Sequence, residues 1–411
     1  LLKDFYHLKR DNNPLREDAF TLSCLGKLNP ASSSDFIRCS GYLAGLLENA
    51  LSDRSASDRT LSDGAVHDGL VCCRADSDIK AGEEVLIVGL TESGIIPAFL
   101  MYMETLRRNL NTHILYSTRR PLSGISFKER HSHGPDHILP LPDCTIREIW
   151  IVEDEITTGN TVYHLMVQLC AYLNISRVRI FAFADFRESG QKSELYLKTA
   201  YNNIECTVHT LNHIPGSSGQ DTKEQGQDKR DTIERSGSQN SRKKVHFSSN
   251  DISPEEALSE KYRFKDWHLP EKRPALAMKS GNFLDLESWK LPPELSRGII
   301  LTIGEAVDLS ACFAIANENI EFQQISLSPW KVDHKSIFSR IIFGEKYHLY
   351  NYERLKEASS PLFILCDPID REIEQEVVRK LGEHDILVEA FNPSLLPRES
   401  SGNFTVKTLC N

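Results

Sequence analysis

No run of about 18 apolar residues occurs in this 411-residue chain, so the signal of a membrane-spanning helix is missing. The opening lacks the basic-then-apolar pattern of a secretory leader, and no membrane partner is expected. The chain does not begin with methionine, and one expectation is that its true start is missing. Positive charge is also short. With 48 Lys and Arg against 58 Asp and Glu, the net charge is -10, which argues against a nucleic-acid footprint built on cation-mediated counterion release. The ten cysteines form no CxxC pair and no compact disulfide framework, so reduced thiols in a cytoplasmic protein are expected. There is no GxxxxGK[ST], no GxGxxG, no GxSxG and no HExxH. These absences remove P-loop nucleotide binding, dinucleotide binding, the hydrolase nucleophile elbow and the common zinc-protease helix.

The composition is that of an ordinary folded protein, 40% hydrophobic and 26% charged, and the length suits more than one domain. Between Gly216 and Asn250 only Ile233, Val245 and Phe247 are apolar, too little to offset the entropy of ordering. A polar linker over 213–270 therefore separates a first domain, 1–212, from a smaller one, 271–411, and the two are expected to move on a hinge. In the first, Val85 to Leu90, His113 to Ser117, Ile149 to Val152 and Val178 to Phe183 read as strands between amphipathic segments such as Ile95 to Leu106. Alternation of this kind predicts an α/β fold, a mostly parallel sheet with helices on both faces. Arg297 to Ile303, Phe322 to Leu327 and Leu362 to Cys366 repeat the pattern in the second, smaller α/β unit.

The chemistry concentrates in EIWIVEDEITTGNTVYHLM, Glu148 to Met166. Ile149 to Val152 is apolar without alternation, as a strand buried on both faces requires. Val162, Leu165, Met166, Leu169, Cys170 and Leu173 recur on one helical face. Thr157, Thr158, Gly159, Asn160 and Thr161 thus lie between a strand's carboxyl end and a helix's amino end, where open α/β sheets bind ligands. Free backbone N–H groups, the helix dipole and threonine hydroxyls favour a phosphate. Glu153, Asp154 and Glu155, just before it, would repel that phosphate and need hydroxyl donors or a cation instead. A sugar diol carrying a 5-phosphate meets both demands.

Four apolar residues, two acids, two further positions and Thr-Thr-Gly-x-Thr resemble the phosphoribosyl pyrophosphate motif of type I phosphoribosyltransferases. The resemblance implies that Glu153 and Asp154 hold the ribose hydroxyls, and through the bound sugar a Mg²⁺ ion, while Thr157 to Thr161 wrap the 5-phosphate. It also makes Thr91, Glu92, Ser93 and Gly94, after the strand Val85 to Leu90, the pyrophosphate loop. Thr157 stands where purine-salvage members commonly carry Asp and looks more like the orotate type. Glu155 replaces a usually apolar residue, and two readings stay open: a third ligand for Mg²⁺ or substrate, or a solvent-facing side chain.

Arg119, Arg120, Lys128 and Arg130 gather cations in an otherwise acidic chain, followed by His131, His133 and His137. Cations near developing charge are often the largest catalytic term, and FKERHSHG resembles in place and composition the mobile loop of orotate-type enzymes. Lys128, Arg130, His131 and His133 are the candidate catalytic members of that loop, with Asp154 or Glu155 as proton acceptors. A zinc site using the HxH pair with Asp136 and His137 is the alternative, as is a surface hairpin.

NNPLR (Asn12 to Arg16), CLGKLNP (Cys24 to Pro30), GLTESG, FKERHSHGPDH and VEDEITTGNT together resemble the branch of this family fused to a TRSP domain in bacterial tellurite-resistance and stress gene clusters. In the second domain the naming Thr-Arg-Ser-Pro has become Ser326-Leu327-Ser328-Pro329, which removes the one cation able to bind phosphate there. Gly304-Glu305 and HLYNY (His348 to Tyr352) keep other parts of the pattern. The resemblance implies a Mg²⁺-dependent transfer of ribose 5-phosphate from phosphoribosyl pyrophosphate to a nitrogenous acceptor, with a homodimer left open. A non-catalytic sensor of the same ligand is the reading from another class.

Overall fold

The computed structural model describes residues 4–11, 18–56, 84–119, 124–128, 136–140, 145–213, 297–357, 361–366 and 370–388. The linker expected at 213–270 lies, apart from His213, outside them, as does NNPLR.

The first unit is a five-stranded sheet in the order β4-β3-β7-β8-β9, with β3 (Val85–Gly89), β4 (Thr112–Tyr116), β7 (Glu148–Ile156), β8 (Arg177–Asp185) and β9 (Glu205–His213). Every ladder in it is parallel, so all five strands deliver their carboxyl ends to one edge. Strand β7 is central and buried almost throughout, which is why its sequence shows no polar alternation. Helices α1 (Ser33–Ala56) and α2 (Ile95–Arg107) cover one face, packing on Val85, Ile87, Trp150, Val152, Phe181 and Phe183. Helices α3 (Asn160–Leu173) and α4 (Ser189–Tyr201) cover the other, with the antiparallel hairpin of β5 (Ile125–Lys128) and β6 (Asp136–Leu139). An amino-terminal hairpin, β1 (Phe5–Lys9) and β2 (Asp18–Leu22), reaches the end of β8 through Phe20 stacked on Phe186 at 4.3 Å.

The second unit is a three-stranded parallel sheet, β11 (Asn319–Ile325), β10 (Arg297–Ile303) and β14 (Leu362–Cys366). Helix α5 (Val307–Ala316) lies on one face. The hairpin β12 (Arg340–Phe343) and β13 (Tyr347–Tyr350), the short α6 (Glu353–Glu357) and α7 (Arg371–Glu383) lie on the other. The two sheets do not merely adjoin. Residues of α1 and α2 share one continuous apolar cluster with Phe313, Ile320 and Phe322, and Phe36 stacks on Phe322 at 6.0 Å. The contact expected to be a hinge is thus a packed apolar layer between the sheets, which stabilises one relative placement.

Among the described residues no helix is long and apolar enough to cross a membrane. Six cysteines among them are free thiols. Burial pushes Cys170 and Cys206 up to about 12 and holds Cys24 and Cys312 well above the usual value, so none of these four is a thiolate nucleophile near neutrality.

Candidate active site

The strand β3 pairs with β7 only as far as Gly89 opposite Val152, so Glu153 is the first residue of β7 beyond that ladder. Its Oε1 accepts the Leu90 N–H at 3.1 Å. Asp154 follows, and its Oδ1 accepts the Glu155 N–H at 2.9 Å. Both acids are buried, 7% and 9% exposed, yet both line the cleft at the sheet's carboxyl edge. Glu155 lines it too and does not face solvent: its Oε1 lies 3.5 Å from the Arg10 guanidinium, and both side chains are largely covered.

Gly159 then turns the chain into α3 with φ +80°, the left-handed conformation that glycine adopts without a Cβ penalty. Asn160 N–H reaches back to Thr158 Oγ1 at 3.3 Å, and Tyr163 N–H closes the first turn on the Gly159 carbonyl at 2.9 Å. Thr157, Thr158, Gly159 and Thr161 line the cleft in front of the positive end of α3, and Asn160 begins the helix without lining it.

The 91–94 turn, between β3 and α2, faces that loop. Thr91, Glu92 and Ser93 line the cleft, while Gly94 works behind it. A Cβ on Gly94 would stand 2.6 Å from Leu90 N and 2.8 Å from Glu153 Oε1, and one on Gly89 would stand 2.5 Å from the Gly94 carbonyl oxygen. The missing methyls let the turn and the Glu153 carboxylate share one hydrogen bond. Gly94→Ala is therefore expected to cost about 1–3 kcal/mol by overpacking, read as a lower denaturation midpoint, although its φ of -77° suits alanine. Gly41→Ala, in α1 with nothing within 4 Å of the new Cβ, should instead stabilise by about 0.5–1 kcal/mol.

Thr91 is held from just beyond the end of β4. Its N–H donates to Ser117 Oγ at 2.8 Å, its hydroxyl to the Ser117 carbonyl, and Ser117 Oγ meets His137 Nδ1 at 3.1 Å. His137 is fully buried in β6 and stacks on Phe127 at 5.1 Å. It braces the turn, and among the described residues no group of three or more His, Cys, Asp or Glu is arranged to hold a metal. Arg119 lines the cleft. Lys128 ends β5 with its side chain outside the described residues, and Arg120, Arg130, His131 and His133 lie outside them entirely.

Arg10 and Phe20 from the amino-terminal hairpin and Trp330 from the second unit, which the sequence did not single out, complete the cleft of ≈ 130 Å³ together with Leu327 and Ser328 of the altered Ser326-Leu327-Ser328-Pro329 segment. Lys27, 1% exposed, donates from Nζ to Ser93 Oγ at 2.8 Å and lies 3.8 Å from Glu92 Oε2. Glu305 of the second unit accepts the Thr118 hydroxyl at 2.6 Å and the Arg119 N–H at 2.9 Å. Lys27 sits inside CLGKLNP and Glu305 inside Gly304-Glu305. Both stood in quoted patterns, but only the fold brings them against residues that line the cleft.

A parallel sheet with helices on both faces, whose carboxyl edge gathers an acidic strand end and a threonine-rich helix start, defines an α/β protein with its ligand cleft at that edge. Residues 6–217 match the family described as phosphoribosyl transferase, and the chain belongs to that family of enzymes. No curated protein matches the chain. Among solved structures it is similar to adenine phosphoribosyltransferase from Rhodothermus marinus, with 15% identity over 52% of this chain and 96% of that one, TM-score 0.32. It is also similar to the enzyme from Saccharomyces cerevisiae complexed with an imino-altritol bisphosphate and adenine, with 13% identity over 52% and 96% of the two chains, TM-score 0.31. The enzyme from Trypanosoma brucei in complex with AMP, pyrophosphate and ribose-5-phosphate shows 10% identity over 51% and 76%, TM-score 0.30.

Proposed function

We propose that the cleft binds phosphoribosyl pyrophosphate and transfers its ribose 5-phosphate to a nitrogenous acceptor. The supporting observation is the meeting of Glu153 and Asp154, the 157–161 loop and the 91–93 turn around a single cleft. Glu153 and Asp154 accept the two ribose hydroxyls, each a charge-assisted bond. The N–H groups and hydroxyls from Thr157 to Thr161 take the 5-phosphate at the positive end of α3. The backbone from Thr91 to Gly94 takes the pyrophosphate. The acceptor's nitrogen lone pair bonds to C1 as the C1–O bond breaks, and that bonding pair leaves with pyrophosphate through an oxocarbenium-like state.

The buried carboxylates of Glu153 and Asp154 fit Mg²⁺, which keeps water and substrate oxygens and needs only one or two protein carboxylates. When bound with the substrate it supplies charge neutralisation at the pyrophosphate. Arg119, Lys128, Arg130, His131 and His133 add positive charge there, and their segment excludes water. Glu155 is committed to Arg10, which leaves Asp154 as the better proton acceptor where the acceptor base needs one.

The second unit, 271–411 beyond a polar linker at 213–270, is read as the TRSP-like domain of the tellurite-resistance branch, in a cytoplasmic enzyme. Incubating the full chain with Mg²⁺, phosphoribosyl pyrophosphate and a metabolite extract should release pyrophosphate and yield new ribosylated masses. Tight binding without turnover across all extracts would replace transfer by sensing, and no binding would remove the ligand itself.

A further inference from the structure

The turn assigned to pyrophosphate carries a carboxylate, Glu92, 8% exposed on the side chain and lining the cleft. Facing a polyanion, such a group would work against the assigned ligand, since like charges at contact distance disfavour one another strongly away from water. In the structure this carboxylate is held by donors. Gln324 Nε2 donates to Glu92 Oε1 at 2.8 Å, and the Leu327 N–H donates to the same carboxylate at 3.2 Å. Both donors come from the second unit. Lys27, beneath the turn, adds its ammonium from the first.

The segment that supplies these donors continues across the cleft. Asp11 N–H donates to the Pro329 carbonyl at 2.8 Å, and Lys331 N–H to the Lys9 carbonyl at 2.8 Å. Trp330 is thereby bridged to Arg10, the partner of Glu155. The Ser326 to Trp330 strap thus runs from the pyrophosphate-side turn to the acidic strand end, over the gap where transfer would occur. Tyr350 stiffens it, its hydroxyl donating to the Ser328 carbonyl at 2.6 Å while accepting the Trp330 N–H at 2.7 Å.

We propose that the second unit is a working part of the transfer site: through Gln324 and Leu327 it holds the Glu92 carboxylate away from the anion position, so that the 91–94 turn can receive pyrophosphate. Gln324 and Glu92 are positioning residues, since they act through the turn. The altered Ser326-Leu327-Ser328-Pro329 sequence fits this role. A strap that acts by backbone donation has no need of a phosphate-binding arginine.

This inference rests on the phosphoribosyl pyrophosphate reading, and the test separates the two. Binding of Mg²⁺ with inorganic pyrophosphate, and of Mg²⁺ with phosphoribosyl pyrophosphate, is measured by calorimetry on the full chain and three variants. Gln324→Glu removes the donor and opposes two carboxylates. It should lower affinity for both ligands about tenfold or more. The exchange Glu92→Gln with Gln324→Glu restores a hydrogen bond and moves the charge off the turn, and should return affinity to within about threefold of the wild type. Leu327→Pro removes the other donor, should also lower affinity, and decides the matter where Gln324→Glu does not fold. Wild-type affinity in both Gln324→Glu and Leu327→Pro, or a loss that the exchange fails to rescue, overturns the proposal. Wild-type protein that binds neither ligand overturns the phosphoribosyl pyrophosphate reading, and the strap's role with it.

Discussion

Asp154→Asn is expected to reduce pyrophosphate release from Mg²⁺ and phosphoribosyl pyrophosphate by about one to two orders of magnitude while leaving the fold intact. The size follows from the bonds at stake. A hydrogen bond to a charged group contributes about 1.5–3 kcal/mol, and Asp154 is assigned one from the ribose. Each 1.36 kcal/mol or so is a factor of ten in rate. The fold survives because the Glu155 N–H donates to Asp154 Oδ1, and an asparagine oxygen accepts equally well. Glu155→Gln gives the contrast. Its partner is Arg10 across 3.5 Å, so its loss should be felt in the placement of the amino-terminal hairpin before it is felt at the ribose. A single-turnover measurement on both variants decides the assignment. Should Asp154→Asn release pyrophosphate at the wild-type rate, the ribose site lies elsewhere.

The central sheet was open to reading from sequence because burial on both faces leaves a plain mark. Strands β3, β7 and β8 are apolar runs, and the predicted face of α3 is buried from Val162 to Cys170. The acidic triplet was expected to follow its strand, yet β7 extends through it to Ile156, because β8 goes on pairing with Glu153, Glu155 and Ile156 after β3 has stopped. Strand β9 was not foreseen. It is an edge strand, half-exposed along most of its length, so its sequence carries polar residues without a strict period. The amino-terminal hairpin escaped for a similar reason, with His7 and Lys9 facing solvent beside Leu8 in the core.

The candidate site divides along the same line. Acids, threonines and glycines adjacent in sequence announce their chemistry by spacing. Lys27, Arg10, Gln324 and Glu305 do not, since each reaches the cleft, or a residue that lines it, from a separate part of the chain. Glu92 is the instructive case. As a residue of a turn it reads as one more anion-loop position, and only its bonds to Gln324 and Leu327 reveal that its charge is managed from 232 residues away.

The largest stability effect is expected one layer behind the 157–161 loop. Asp185 ends β8, and its two oxygens take Arg187 Nε at 2.9 Å and Nη2 at 3.0 Å, with Lys192 at 3.5 Å; both partners of the central pair are nearly fully buried. The Arg187 side chain in turn packs 3.4 Å from the point where a Cβ on Gly159 would stand. Asp185→Asn leaves that guanidinium buried without its counter-charge, which costs about 3–5 kcal/mol. At about 2–4 °C per kcal/mol for a chain of 150–250 residues, the melting midpoint should fall by about 6–20 °C. The pH dependence gives the charge its own signature. Burial alone would raise the Asp185 carboxyl, but the Arg187 hydrogen bonds and charge, with Lys192, outweigh it and hold the pKa below its usual value. A depressed carboxylate stabilises the fold above its unfolded pKa of about 3.9 and loses that contribution as pH falls through the folded value. The difference between wild type and Asp185→Asn should therefore be constant from neutral pH down to about 5 and shrink below about 4. Replacing Arg187 as well, in Asp185→Asn with Arg187→Met, should recover part of the loss, because the cost lies in the orphaned cation. If the double variant is no more stable than the single one, the pair is not what supports the turn at Gly159.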